Sequence, residues 1–91
     1  MASAARRVDF YWRGGCWFCS RLRRGLEAAG VELDDHDIWA DDEARAFVRS
    51  VARGHETVPT VVVAGVALVN PSAAEVVARL DEAATEEAPE P

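Results

Sequence analysis

The sequence has 91 residues, 49% of them hydrophobic and 29% charged, with a formal net charge of −6 at pH 7. That length fits one domain with one modest core and excludes a cofactor domain standing beside a catalytic one. The acidic balance argues against nucleic acid or an anionic membrane as a general partner, and no apolar run approaches the roughly 20 residues that span a bilayer.

Along the chain, residues 1–7 read as an N-terminal extension. Arg6-Arg7 and Gly15-Cys16 touch on export and lipoprotein signals, but both need an apolar segment that Val8 to Gly15 does not supply, so the expected location is cytoplasmic. Val8 to Trp12 is a short β-branched and aromatic run closed by Gly14-Gly15, which predicts a buried first strand. From Cys16 to Ala29, the positions Cys19, Leu22, Leu26 and Ala29 form a helical apolar stripe, with Arg21, Arg23, Arg24 and Glu27 outside it and Gly30 as the stop. Val31 to Ile38 alternates loosely between apolar and acidic residues and predicts a second strand near a sheet edge, parallel to the first through a right-handed crossover.

Asp41-Asp42-Glu43 suits the positive end of a second helix, carried on by Ala44, Phe47, Val48 and Val51 and closed by Arg53-Gly54. Val58 to Val63 predicts a strand that begins at a proline, Ala64-Gly65 a tight turn, and Val66 to Val69 the return strand of a hairpin. Ser72 and Glu75 have capping-box spacing at the head of a third helix whose buried stripe is Val76, Val77, Leu80 and Ala84. Residues 85–91 read as a frayed acidic tail. The order βαβαββα over residues 8–84 predicts an α/β, thioredoxin-like fold: a central four-stranded mixed sheet flanked by three helices.

Two cysteines three apart, at the junction of the first strand and first helix, carry the chemistry. A thiolate attacks disulfides, and free N–H groups at a helix N-terminus favour the thiolate, so Cys16 is the expected nucleophile. Cys19, one turn further in and on the buried stripe, is the expected resolving thiol. Arg13, Arg21 and Arg24 add positive charge for the thiolate or an anionic substrate. The rival reading, half of a zinc site, lacks a second half: His36 and His55 lie in separate elements without finger spacing. Resemblance of the element order to thioredoxin-like folds, in which a proline at the start of the third strand faces the cysteine pair, implies that Val58-Pro59 is cis and leaves the preceding backbone free to pair with substrate. Trp12 and Trp39 end strands and read as core or rim, whereas Trp17 is expected not to be wholly buried, either as a platform for a substrate sugar or thiol or as packing at the helix start.

Cys16-Trp17-Phe18-Cys19, Thr57-Val58-Pro59-Thr60 and Asn70-Pro71-Ser72 together resemble the glutaredoxin family, most closely its actinobacterial mycoredoxin branch. The resemblance implies reduction of mixed disulfides between proteins and a low-molecular-weight thiol, mycothiol in that branch. It implies catalytic roles for Cys16 and Cys19, and thiol or substrate binding by Arg13, Trp17, Phe18, Thr57, Val58, Pro59, Asn70, Pro71 and Ser72. No bound cofactor is implied. The expected partners are the thiol as co-substrate, protein disulfides and a flavin-dependent reductase, with the chain acting as a monomer.

Trp17-Phe18 replaces the usual Pro-Tyr or Gly-Tyr, and Asn70-Pro71-Ser72 replaces the Gly-Gly-x-Asp stretch of glutathione-using members, which favours mycothiol over glutathione. The Gly-Phe-Arg-Pro-like stretch of redoxins serving ribonucleotide reductase is absent. Two alternatives stand beside this reading: a general dithiol protein-disulfide reductase or electron donor, and an iron–sulfur carrier with Cys16 of two subunits as ligands.

Overall fold

A computed structural model of the chain describes residues 6–87, with side chains described through residue 84. The elements run β1 (Arg7–Trp12), α1 (Trp17–Ala28), β2 (Glu32–Asp37), α2 (Asp42–Val51), β3 (Thr60–Val63), β4 (Val66–Val69) and α3 (Ala73–Glu87). They form one four-stranded sheet in the order β2-β1-β3-β4. β1 and β2 are parallel, joined through α1, while β3 pairs antiparallel with both β1 and β4. The βαβαββα order is as expected from the sequence, including β2 at an edge.

Alternation along β1 sorts the sheet into two faces. Val8 and Phe10 point toward α1 and α3 and join Leu22, Leu26, Val61, Val63, Val76 and Leu80 in the main core. Each such fully buried side chain contributes about 1.5–3 kcal/mol of transfer free energy. Tyr11 points the other way, to a smaller cluster of Ile38, Ala44, Val48 and Ala52 beneath α2, where it stacks on Phe47 and on His36. Further along that face Arg7 Nε and Nη2 donate to both carboxylate oxygens of Asp34 (2.8 and 2.7 Å), and this hydrogen bond holds the Asp34 carboxyl below its usual range.

Local chemistry ends the elements where expected. Asp41 caps α2 by accepting from Glu43 and Ala44 N–H (3.0 and 3.2 Å). Ser72 and Glu75 close their capping box reciprocally at 2.7 and 3.1 Å. Ala64 and Gly65, both at positive φ, make the hairpin turn.

Five expectations shift. β1 begins at Arg7, inside the expected extension, because the Arg6 carbonyl accepts from Glu32 N–H (2.9 Å) and extends the ladder. β3 begins at Thr60, since its pairing with β1 starts there and Pro59 has no N–H to donate. Ala29 leaves the α1 stripe: it is the exposed C-cap. Ala83, not Ala84, completes the buried stripe of α3. That helix continues to Glu87, into the expected tail, and residues 88–91 lie outside the described residues. No helix among the described residues is long and apolar enough to cross a membrane.

Candidate functional site

The site is built where β1 hands over to α1. Gly15 has φ +75, a value that favours glycine, and it turns the chain so that Cys16 becomes the N-cap of α1. Cys16 Sγ accepts from Cys19 N–H at 3.1 Å, so the sulfur occupies the place of a capping oxygen and meets one of the helix's free N–H groups. The two cysteines are disulfide-bonded, with Cα atoms 5.2 Å apart. Cys16 is 8% exposed and Cys19 4%, and both are part of the main core. A reduced Cys16 in this position meets N–H groups and the positive end of the helix, both of which favour its thiolate.

The residues expected to bind thiol or substrate do not form one patch. They divide between two grooves, one lined by both cysteines and one lined by neither. One, of about 410 Å³, contains both cysteines and is walled by Arg13, Trp17 and, unforeseen from the sequence, Trp12, Ser20 and Arg23. The other, of about 460 Å³, brings together Phe18, Pro59, Asn70, Pro71 and Ser72 and adds Arg21.

Thr57 and Val58 line neither groove. The Thr57 carbonyl accepts from Thr60 Oγ1 (2.8 Å), and Val58 makes no backbone hydrogen bond among the described residues. The Val58-Pro59 bond is cis, as expected. Asn70, at φ +52, donates its N–H to the Pro59 carbonyl (2.8 Å), which ties the start of α3 to this loop and fixes the second groove.

Arg23 reads in the sequence as an outer-face charge, yet its guanidinium lies over Phe10 (4.9 Å) and pairs with Asp35 (2.6 Å). The signal was its spacing: Arg23 follows Cys19 by four residues and so shares its side of the helix. Trp17 is 60% exposed, as expected, and meets Phe18 edge-on at 5.0 Å. Trp12, expected in the core or at the rim, is instead a half-buried wall of the cysteine-bearing groove, and Trp39 is exposed outside it. His36 stacks on Tyr11 and lies 3.0 Å from Asp9 Oδ1, on the α2 face and apart from the cysteines. Among the described residues no three His, Cys, Asp or Glu side chains are grouped to hold a metal ion.

The comparisons agree with this geometry. The glutaredoxin family model matches residues 8–68. A Mycobacterium tuberculosis protein that carries the glutaredoxin name is 44% identical over 74 residues, covering 80% of this chain and 88% of its own length. Mycoredoxin 1 of Corynebacterium glutamicum is 40% identical over 75 residues, 81% of this chain and 92% of its own. Among solved structures, the thioredoxin-like protein BC3987 shares the fold at a TM-score of 0.66 and 22% identity, over 80% of this chain and 97% of that one. With a disulfide at the N-cap of α1 in this fold, the chain belongs to the glutaredoxin family and is a thiol–disulfide oxidoreductase linked to a low-molecular-weight thiol.

Proposed function

We propose that the protein reduces mixed disulfides between proteins and mycothiol, as a monomer in the cytoplasm, with Cys16 as nucleophile. The observation that carries this reading is the hydrogen bond from Cys19 N–H to Cys16 Sγ at the helix N-terminus, beside a groove that can take a thiol conjugate. The Cys16 thiolate attacks the mycothiol sulfur of the mixed disulfide. A Cys16–mycothiol bond forms, the protein sulfur leaves with the electron pair of the old bond, and it takes up a proton. A second mycothiol, as thiolate, attacks the mycothiol sulfur of the adduct, which gives oxidised mycothiol and regenerates the Cys16 thiolate. Phe18, Pro59 and the Asn70 to Ser72 segment hold the thiol conjugate, and the unpaired Val58 backbone is open to pair with it. The kinship with a protein named Mycoredoxin 1 supports mycothiol as the thiol.

A second reading is favoured by the Cys16–Cys19 disulfide itself. In it Cys19 attacks the adduct, expels the thiol, and a flavin-dependent reductase restores the dithiol. Substituting Cys19→Ser separates the two. Intact mass after exposure to equal oxidised mycothiol and oxidised glutathione is expected to show a mycothiol adduct on Cys16, and turnover with mycothiol is expected to persist. Loss of turnover with the adduct trapped favours the dithiol cycle, and no adduct of either thiol overturns the proposal.

A further inference from the structure

The charges around the disulfide differ from those elsewhere on this acidic chain. Arg6, Arg7, Arg23, Arg45, Arg49 and Arg79 each pair with a carboxylate. Among the described residues, Arg13, Arg21, Arg24 and Arg53 do not, and the first three lie just before the cysteine pair or on α1. Two of these three lie against exposed indoles. The Arg13 guanidinium is 5.3 Å from the Trp39 ring centroid and that of Arg21 is 5.5 Å from Trp17. Both tryptophans are 60% exposed. The acids nearest Trp39 are engaged in turns: Asp37 accepts from Trp39 N–H (2.9 Å), and Asp41 caps α2. The cysteine-bearing groove is therefore walled by one arginine with no carboxylate partner, Arg13, which donates only to the Gly14 carbonyl (3.1 Å), and Arg21 lies over the Trp17 of the same wall while lining the other groove, on a molecule of net charge −6.

From this we infer that the groove walled by Arg13 and Trp17, with Trp39 against Arg13 outside it, docks the protein half of the mixed disulfide, and that its preferred partner is a target cysteine flanked by acidic residues. The inference rests on the exchange cycle proposed above. Attack on a disulfide needs the nucleophile in line with the bond that breaks, so the leaving protein sulfur lies on the outward side of the thiol sulfur. With the thiol conjugate in the Phe18–Pro59–Asn70 groove, the protein chain leaves across Trp17 toward Arg13. Acidic flanks then meet guanidinium groups that have no carboxylate partner, and apolar parts of the segment cover the indoles.

The test uses three peptides of equal length, each carrying one cysteine as its mycothiol mixed disulfide, with flanks of Asp and Glu, of Ser and Gly, or of Arg. Peptide release is followed with mycothiol as reductant, for the wild-type protein and for Arg13→Glu and Arg13→Gln. The wild-type protein is expected to favour the acidic peptide over the basic one by roughly tenfold in kcat/KM at low salt. The preference should collapse at 0.5 M salt, as screening shortens the reach of the charges. Arg13→Glu should invert the order and Arg13→Gln should flatten it, the second serving as the arm in which no new charge burdens the fold. Equal rates for the three peptides in the wild-type protein overturn the inference and leave the exchange cycle standing. No turnover of any of them overturns the cycle itself. A preference that persists in both Arg13 variants removes Arg13 from the surface and overturns the inference as stated.

Discussion

The two faces of the sheet do different work. The face under α1 and α3 is apolar except where the Arg23 guanidinium lies over Phe10, fully buries Phe10, Val61 and Val63 of the central strands, and carries Cys16 and Cys19 within its packing. The face under α2 buries four side chains, surrounds them with the Phe47–Tyr11–His36 stack, and gives way along β1 and β2 to Arg7, Asp9 and Asp34. A redox site needs one sulfur held and one sulfur reachable. Both sulfurs belong to the packed face, and the N-cap position leaves Cys16 the more exposed of the two, 8% against 4%, so the site depends mechanically on one face far more than on the other.

Removing one large aromatic from each face is the strongest way to break this comparison. Phe10→Ala empties a side chain with no exposure, in contact with the main core, and is expected to cost about 3–5 kcal/mol of folding stability. Phe47 is half-buried, and Phe47→Ala loses mainly its stack on Tyr11, so a cost of about 1–2 kcal/mol is expected. Urea unfolding of the two oxidised variants checks this. Equal losses would mean that the α2 face carries as much of the fold as the α1/α3 face.

A smaller effect sharpens the comparison at the site. A Cβ placed on Gly25 of α1 would meet Ala73 Cβ at the start of α3 at 2.9 Å. Alanine is the better helix former by about 1 kcal/mol, so at an open helical position Gly→Ala stabilises. Here overpacking against a short, inflexible neighbour costs about 1–3 kcal/mol, and Gly25→Ala is expected to be net destabilising by about 1 kcal/mol. Because Ala73 adjoins Ser72 and the groove with Phe18 and Pro59, the shift should also weaken adduct formation at that groove. Unfolding midpoint and the rate of Cys16 adduct formation, measured together, check both halves.

What the sequence made legible follows the physics of neighbours. The helical stripe of α1, the capping box at Ser72 and the Ala64-Gly65 turn are local signals, the cis Val58-Pro59 bond follows from the element order, and each appears in the structure. The division of the expected binding residues into two grooves was not legible. It depends on how the Asn70 segment is tied back to Pro59 and how far Arg23 folds over Phe10, which are contacts between elements distant in the chain. The helical reach to Glu87 was missed because Glu and Ala sustain a helix without an apolar period to reveal it.

The smallest expected effect probes the α2 face by pH. Burial raises the Tyr11 pKa above its ordinary value of 10.0, and the charges of Asp9 and Asp41 raise it further. The unfolded chain therefore releases the phenol proton first. The contribution of Tyr11 to stability is fully present below about pH 10 and is lost as pH rises through the folded value. The composition makes this readable, because the chain has one tyrosine and no lysine. With the cysteines oxidised, Tyr11 is then the side chain whose ionisation, displaced upward in the folded state, dominates the alkaline pH dependence. Tyr11→Phe keeps the ring between Phe47 and His36 and removes the ionisable hydroxyl. Its unfolding free energy should run parallel to that of the wild-type protein from pH 7 to pH 9, and the wild-type curve should fall relative to it above pH 10. If the two curves stay parallel through pH 11, Tyr11 is solvated like a free phenol, and the stack beneath α2 is looser than its geometry implies.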